Sequence, residues 1–259
     1  MKRVVIAAAF LLAGSGTAAA QDSGTIRVRV GAGAQFRPKF IGADKSTLAP
    51  LFHVNFARGT KQFSFGAPDD SPSIALVSKS GCSIGPAASL EGRRKASDVG
   101  APVGSVPRTF EAGAFAQYLA DDSFRVRAEL LKGINGHEGL VGSVGADKIW
   151  RNGDRYVFSI GPRILFSDAR FERAYFGVTP AASLASGLPT YHPSGGVYGV
   201  AAASGLSYQL GGPWGVFGYA RYERLVGDAA KSPMIRDFGS RNQFSGGVGL
   251  NYTFSIHAY

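Results

Sequence analysis

One cysteine, Cys82, stands in 259 residues, so no intrachain disulfide can form and the fold must be held by something else. Past Leu12 no apolar run approaches the roughly 20 residues of a membrane-spanning helix. Charged residues are scarce, 18% of the chain against a usual value of about 25%. Histidine is scarce too. His53, His137, His192 and His257 include no pair at the i, i+4 spacing of a helical metal site, and none sits in a Cys/His cluster. No metal or other cofactor is therefore expected. Gly31-x-Gly33 lacks the third glycine and the helix of a dinucleotide fingerprint. Gly81-Cys82-Ser83-Ile84-Gly85 matches G-x-S-x-G, but that motif needs a strand, a sharp turn and a helix, and here Gly85-Pro86 and a strand-like stretch follow. No enzyme is expected.

What is present begins with a leader. Lys2 and Arg3 precede an apolar run, Val4 to Leu12, and Ala18-Ala19-Ala20 supplies the small residues of a cleavage site. Residues 1–20 are expected to be a secretory signal peptide and 21–259 a single domain. Removing the leader leaves a net charge of +8, two below the +10 of the whole chain. In a secreted protein that basic balance suits lipopolysaccharide, anionic solutes or acidic partners, not nucleic acid. The 36 glycines and 12% aromatic residues fit membrane β-structure, although a soluble β-sandwich is compatible with composition alone.

Alternation decides between them. From Ile26 to Phe36 every even residue is apolar and every odd one is Arg, Gly or Gln. The period of two recurs at Phe124–Leu130, Tyr156–Ile164 and, longest, Phe244–Ile256. A strand sends alternate side chains to opposite faces. Runs of about ten residues match strands that cross a bilayer at a tilt, whereas soluble strands average five or six. Strands are expected near 25–36, 49–58, 61–67, 73–79, 82–91, 107–119, 123–134, 140–150, 155–167, 196–210, 214–226 and 242–256. Tight turns at 58–60, 121–122, 151–154 and 211–213 alternate with long segments at 37–48, 92–106, 168–195 and 227–241, the short-turn, long-loop asymmetry of outer-membrane barrels. The fold class is thus an all-β, transmembrane, antiparallel up-and-down β-barrel in the outer membrane of a Gram-negative bacterium. It has about twelve strands, or ten if 61–79 is loop, with both termini in the periplasm.

On this phase Arg27, Arg29, Arg125, Arg127 and Arg163 share the interior face with Glu111 and Glu129. Either they pair and fill the barrel, since isolated buried charges are costly, or they line an anion-selective lumen. His53 is expected to face the lumen beside Asn55, and His137 and His192 to lie in loops. Within 168–195, Thr179 can cap a short helix that starts at Pro180 and stops at Gly187. Tyr175, Phe176, Gly177, Pro180 and Tyr191 make this segment a candidate lid, plug or partner-binding loop. The alternative is that its aromatics and prolines pack it onto the barrel rim.

Several motifs carry a resemblance. Phe158-Ser159-Ile160-Gly161-Pro162-Arg163, Ala174-Tyr175-Phe176-Gly177-Val178-Thr179-Pro180 and Ser186-Gly187-Leu188-Pro189-Thr190-Tyr191 lead into the stretch Tyr222 to Pro233, which holds Arg224, Asp228, Ser232 and Pro233. Gly239 to Gly247 and Gly136-His137-Glu138-Gly139 add to it, and Arg37 to Gly42 matches loosely. With these the chain resembles the MipA/OmpV family of outer-membrane proteins. The resemblance implies an outer-membrane barrel, a scaffolding role between a murein transglycosylase and a penicillin-binding protein, or surface interaction. Members often stop near the equivalent of Phe254, whereas here Ser255 to Tyr259 follow, so either Phe254 or Tyr259 could be the aromatic assembly signal. The expected function is therefore a non-enzymatic barrel with a scaffold or surface-interaction role, set against a pore for small anionic solutes or an adhesin acting through its outer loops. Its surroundings would be outer-membrane lipid and lipopolysaccharide.

Overall fold

A computed structural model describes residues 24–257, so the expected leader and Tyr259 lie outside the described residues. In chain order the elements are β1 (Thr25–Pro38), β2 (Ser46–Arg58), β3 (Val77–Lys79), β4 (Cys82–Glu91), α1 (Ala96–Val99), β5 (Thr109–Ala120), β6 (Phe124–Gly133), β7 (Leu140–Asn152) and β8 (Tyr156–Asp168). Then come α2 (Ala169–Phe176), α3 (Pro180–Ser186), β9 (Gly195–Gly211), β10 (Trp214–Leu225), α4 (Gly227–Lys231), α5 (Pro233–Phe238) and β11 (Asn242–His257). No helix among the described residues is long and apolar enough to cross a membrane. The strands do the crossing.

All eleven strands belong to one antiparallel sheet, ordered β2-β1-β11-β10-β9-β8-β7-β6-β5-β4-β3. The sheet curls around an interior. Asp69 and Asp70, adjacent in sequence, reach Arg125 on β6, Arg163 on β8 and Arg221 on β10. In a flat sheet β6 and β10 would be about 19 Å apart at about 4.8 Å per strand, too far for one dipeptide to touch both.

Side-chain alternation sets the two faces. On β6, Phe124, Val126, Ala128 and Leu130 are exposed while Arg125, Arg127, Glu129 and Leu131 are buried. On β10 and β11 the outward set includes Trp214 and Tyr222, Phe244, Leu250 and Tyr252. Trp214 pairs with Tyr252 near one end and Tyr222 with Phe244 near the other. Eight residues separate Trp214 from Tyr222, which at about 3.3 Å per residue and a tilt near 40° puts the two aromatic levels about 20 Å apart along the membrane normal. Small residues allow the strands to meet closely. A Cβ on Gly161 would lie 1.7 Å from the carbonyl oxygen of Ala146.

The strand count departs from twelve at one place. Residues 61–67 form no strand, and the expected strand at 73–79 is reduced to β3 at Val77–Lys79, with an isolated bridge from Ser73 to Ala87 and the bonds Ile74 N–H to Pro86 O and Leu76 N–H to Ile84 O continuing it along β4. The reason lies in Pro68-Asp69-Asp70. Proline has no N–H to give a ladder. Two consecutive aspartates put one carboxylate toward lipid whichever phase a wall strand takes, and that costs free energy. The segment turns into the interior instead. Because β2 and β3 then run in the same direction, they leave the sheet open between them.

Candidate functional site

The interior is organised on the segment between β2 and β3. Its first half sits near the end that carries the tight turns, beside Asp154. Phe63 is buried beneath two guanidinium groups, Arg27 at 4.8 Å and Arg29 at 4.3 Å from the ring centroid. Its N–H donates to Asp154 Oδ1 at 2.9 Å and its carbonyl accepts from Arg151 at 3.1 Å. Arg27 also pairs with Asp154 at 3.0 Å and donates to the carbonyls of Gly59 and Lys61. Asn55 Nδ2 donates to the Ser64 carbonyl at 2.9 Å.

Its second half spans the lumen. Asp70 accepts two bonds from Arg125, at 2.5 and 3.0 Å, while Asp69 accepts two from Arg163, at 3.1 and 3.0 Å. Asp147 on β7 bridges the same two arginines from the wall, at 2.6 Å to Arg125 and 2.7 Å to Arg163. Arg127 pairs with Glu129 at 2.6 Å, and Arg221 with Glu223 at 2.7 Å. Four guanidinium groups thus face five carboxylates, and Arg125 and Asp147 are each only 1% exposed. The wall leaves room for the segment where β9 turns small residues inward. Ala201 and Ala203 are opposite Arg163 and Gly161, and a Cβ on Gly205 would be 3.0 Å from Pro68 Cδ. The space remaining among Asp69, Asp70, Arg125, Arg127, Glu129, Ser143, Gly145 and Arg163 is about 20 Å³. That holds about one water.

The outer end is closed by a second structure. Phe40, Val99, Val106, Phe171, Tyr175, Phe176, Val178, Leu188, Leu225, Met234 and Ile235 form one apolar core from loops after β1, β4, β8 and β10. Asp168 caps α2 by accepting from Phe171 N–H at 2.9 Å, and Thr179 caps α3 by accepting from Ala182 N–H at 3.2 Å. Pro180 occupies the first turn of α3, and Gly187 ends it with φ +78°. That is the expected helix; α2 was not expected. Ser232 Oγ donates to Phe176 O at 2.7 Å, and Tyr191 OH donates to Asp228 O at 2.8 Å. Asp228 accepts from Ser194, which holds its carboxyl below the ordinary range, and Pro233 opens α5.

Beneath the cap lie polar groups with few partners. Arg94 is buried, donates to Tyr175 O at 2.5 Å and leaves Nε without a partner. Burial pulls it down to about 10, against an opposing influence of Tyr175. Burial, and then Asp228, push Glu172 up to about 7, while a bond from Ser167 opposes this. Burial also raises Tyr175. His137 Nε2 contacts Glu111 Oε1 at 2.8 Å.

The seven expected lumen charges all face inward, each on its predicted phase. Glu111 stands apart from the others, with His137 beneath the cap. His137 is loop-borne but buried, which its sequence position did not suggest. His53 faces inward as expected, its ring 5.2 Å from Phe217. Within residues 168–195, Tyr175 and Phe176 are both 0% exposed and belong to the apolar core of the loops, so neither offers surface to a partner. The residues that enter the lumen from a connecting segment are Asp69 and Asp70, which sequence reasoning missed. Also missed were Asp147, Arg221 and Glu223, although alternation within their strands marks all three as inward. Ser83 lies in the β3–β4 hairpin and meets Ser78 at 3.0 Å, so the G-x-S-x-G stretch lacks the strand–turn–helix geometry of a nucleophile elbow.

A family model described as MltA-interacting protein MipA matches residues 30–254. No curated protein matches the sequence. Among solved structures, the KdgM porin is 14% identical, with 89% of this chain and 99% of the porin covered at a TM-score of 0.38. An outer membrane channel from Pseudomonas putida F1 is 10% identical, with 93% and 100% covered at 0.42. The translocator domain of autotransporter NalP from Neisseria meningitidis is 14% identical, with 89% of each chain covered at 0.40. The family match runs from within β1 to within β11, and the chain belongs to the MltA-interacting protein MipA family as an outer-membrane β-barrel protein.

Proposed function

We propose that this chain is a non-conducting, non-enzymatic barrel that acts through its surfaces as a scaffold in the cell envelope. The observation that carries the reading is the clamp of Asp69 and Asp70 on Arg125 and Arg163, which holds the segment between β2 and β3 inside the lumen. A solute pore needs a continuous path. Here the path is crossed by the chain itself, and the outer mouth is covered by a packed apolar cap. The inward arginines are therefore read as members of a filled network and not as an anion filter.

The name of the family points to the murein transglycosylase MltA as a partner, and the sequence resemblance adds a penicillin-binding protein. Such partners would meet the periplasmic end. The connections at 121–123, 153–155 and 212–213 are tight turns, so a stable contact of about 800 Å² per partner would have to span most of the barrel base. Two measurements test the proposal. In planar bilayers the folded protein is expected to give no discrete conductance, and pull-down with a tagged murein transglycosylase is expected to retain it. Stepwise, anion-selective conductance would overturn the scaffold reading in favour of a pore, and failure to retain the enzyme would remove this partner.

A further inference from the structure

We infer that the outer rim above β10 and β11 carries a binding site for the phosphorylated headgroup of lipopolysaccharide. The inference rests on the outer-membrane location alone and not on the scaffold reading. A groove of about 410 Å³ opens there, lined by Arg224, Ile235, Arg236, Gly239, Ser240, Arg241 and Asn242. Three guanidinium groups therefore converge on one concavity with no carboxylate in its lining. All three arginines are exposed, and none is paired with a carboxylate among the described residues. Asp237 follows Arg236 and is exposed, but it does not line the groove. The lumen arginines differ sharply in this respect, since Arg125, Arg127, Arg163 and Arg221 all have acidic partners.

Position selects the ligand. Arg224 is opposite Asn242 in the β10–β11 ladder, and the next outward pair below it is Tyr222 with Phe244. Those two rings are 4.9 Å apart and face lipid. Two residues of strand at a tilt near 40° put the Arg224 level about 5 Å above the aromatic level. That is the step from acyl chain to headgroup. Asn242 Oδ1 accepts from both Tyr222 OH and Arg224 Nη1, each at 2.9 Å, which ties the aromatic level to the cationic one. Arg236 projects from α5, whose Met234 and Ile235 are buried in the cap, so this cation sits on a packed support. Guanidinium groups bind phosphate oxygens through two parallel N–H bonds. A dianionic headgroup on an outer-leaflet lipid satisfies the three cations, and its acyl chains run down over Tyr222 and Phe244. A free phosphate would satisfy the cations but would leave the apolar half of the site without a role.

The test is native mass spectrometry of the full, folded barrel in detergent with bisphosphorylated lipid A, dephosphorylated lipid A and inorganic phosphate as separate probes. The variants are R224Q/R236Q/R241Q, and Phe244→Ala on its own. Retained heat-modifiable gel mobility establishes that each variant is folded. Bisphosphorylated lipid A is expected to bind wild type at least tenfold tighter than the triple variant. Dephosphorylated lipid A is expected to bind both alike, inorganic phosphate not to compete at millimolar concentration, and Phe244→Ala to weaken lipid A severalfold. Equal binding of lipid A by wild type and the triple variant overturns the site. Competition by inorganic phosphate at millimolar concentration overturns the lipid as its source.

Discussion

Replacing Asp69 and Asp70 by alanine should open this barrel. Each aspartate makes a two-point contact with one arginine at 2.5 to 3.1 Å. At 3 Å and an effective dielectric of about 20, one such pair is worth about 5 kcal/mol of Coulomb attraction, much of it offset by dehydration. Removing one partner of a buried pair typically costs about 3–5 kcal/mol. The double substitution therefore weakens seating of the segment by roughly 6 kcal/mol, about four orders of magnitude in the seated-to-released ratio. Phe63 and Asp154 still anchor its periplasmic end, so release is confined to the mid-lumen half. The charge balance also inverts. Arg125, Arg127, Arg163 and Arg221 then face only Asp147, Glu129 and Glu223. Single-channel recording in planar bilayers should show a silent wild type and an anion-preferring conductance in the variant. A variant that folds and stays silent would refute the idea that these two carboxylates hold the lumen shut.

The other expectations concern the cap and the wall. Glu172 has a folded-state value near 7 against an ordinary 4.5, so the folded cap favours its protonated form. Cap stability is full below about pH 4.5 and falls as pH rises to about 7, by roughly 2 kcal/mol once screening is allowed for. Glu172→Gln should abolish that dependence, and amide exchange of 169–176 between pH 5 and pH 8 reads it. Phe176→Ala removes a side chain with no exposure and should cost the cap about 3–5 kcal/mol, seen as protease cleavage within 177–194 while the barrel stays heat-modifiable. Gly161→Ala places a methyl group 1.7 Å from the Ala146 carbonyl and should block β7–β8 pairing, seen as loss of the folded band on an unboiled gel.

Ten of the strands were legible because lipid on one side and a packed interior on the other impose a period of two over ten or more residues. β4 was placed to the residue, and α3 was legible because Thr179, Pro180 and Gly187 each carry a local conformational preference. The failure at 61–67 has the opposite cause. Lys61 to Gly66 alternates well enough to resemble a wall strand, and only the Pro68-Asp69-Asp70 break signals that the chain leaves the wall. What Asp69 and Asp70 bind could not be read, because their partners are 94 and 55 residues away, respectively. Asp147, Arg221 and Glu223 were legible in principle from strand phase. The cap was only partly legible, since its apolar residues come from four separate loops and no one of them shows a periodic face.

The central claim is that the segment after β2 lies inside the barrel, against β9. In a Cys82→Ser background, cysteines introduced at Pro68 and Gly205 test it directly, because a Cβ at Gly205 would lie 3.0 Å from Pro68 Cδ. Mild oxidation or a short bis-thiol reagent should link them in the folded protein, giving a gel shift and a 68–205 linked peptide by mass spectrometry. A folded barrel in which both thiols stay free and unlinked would contradict the account.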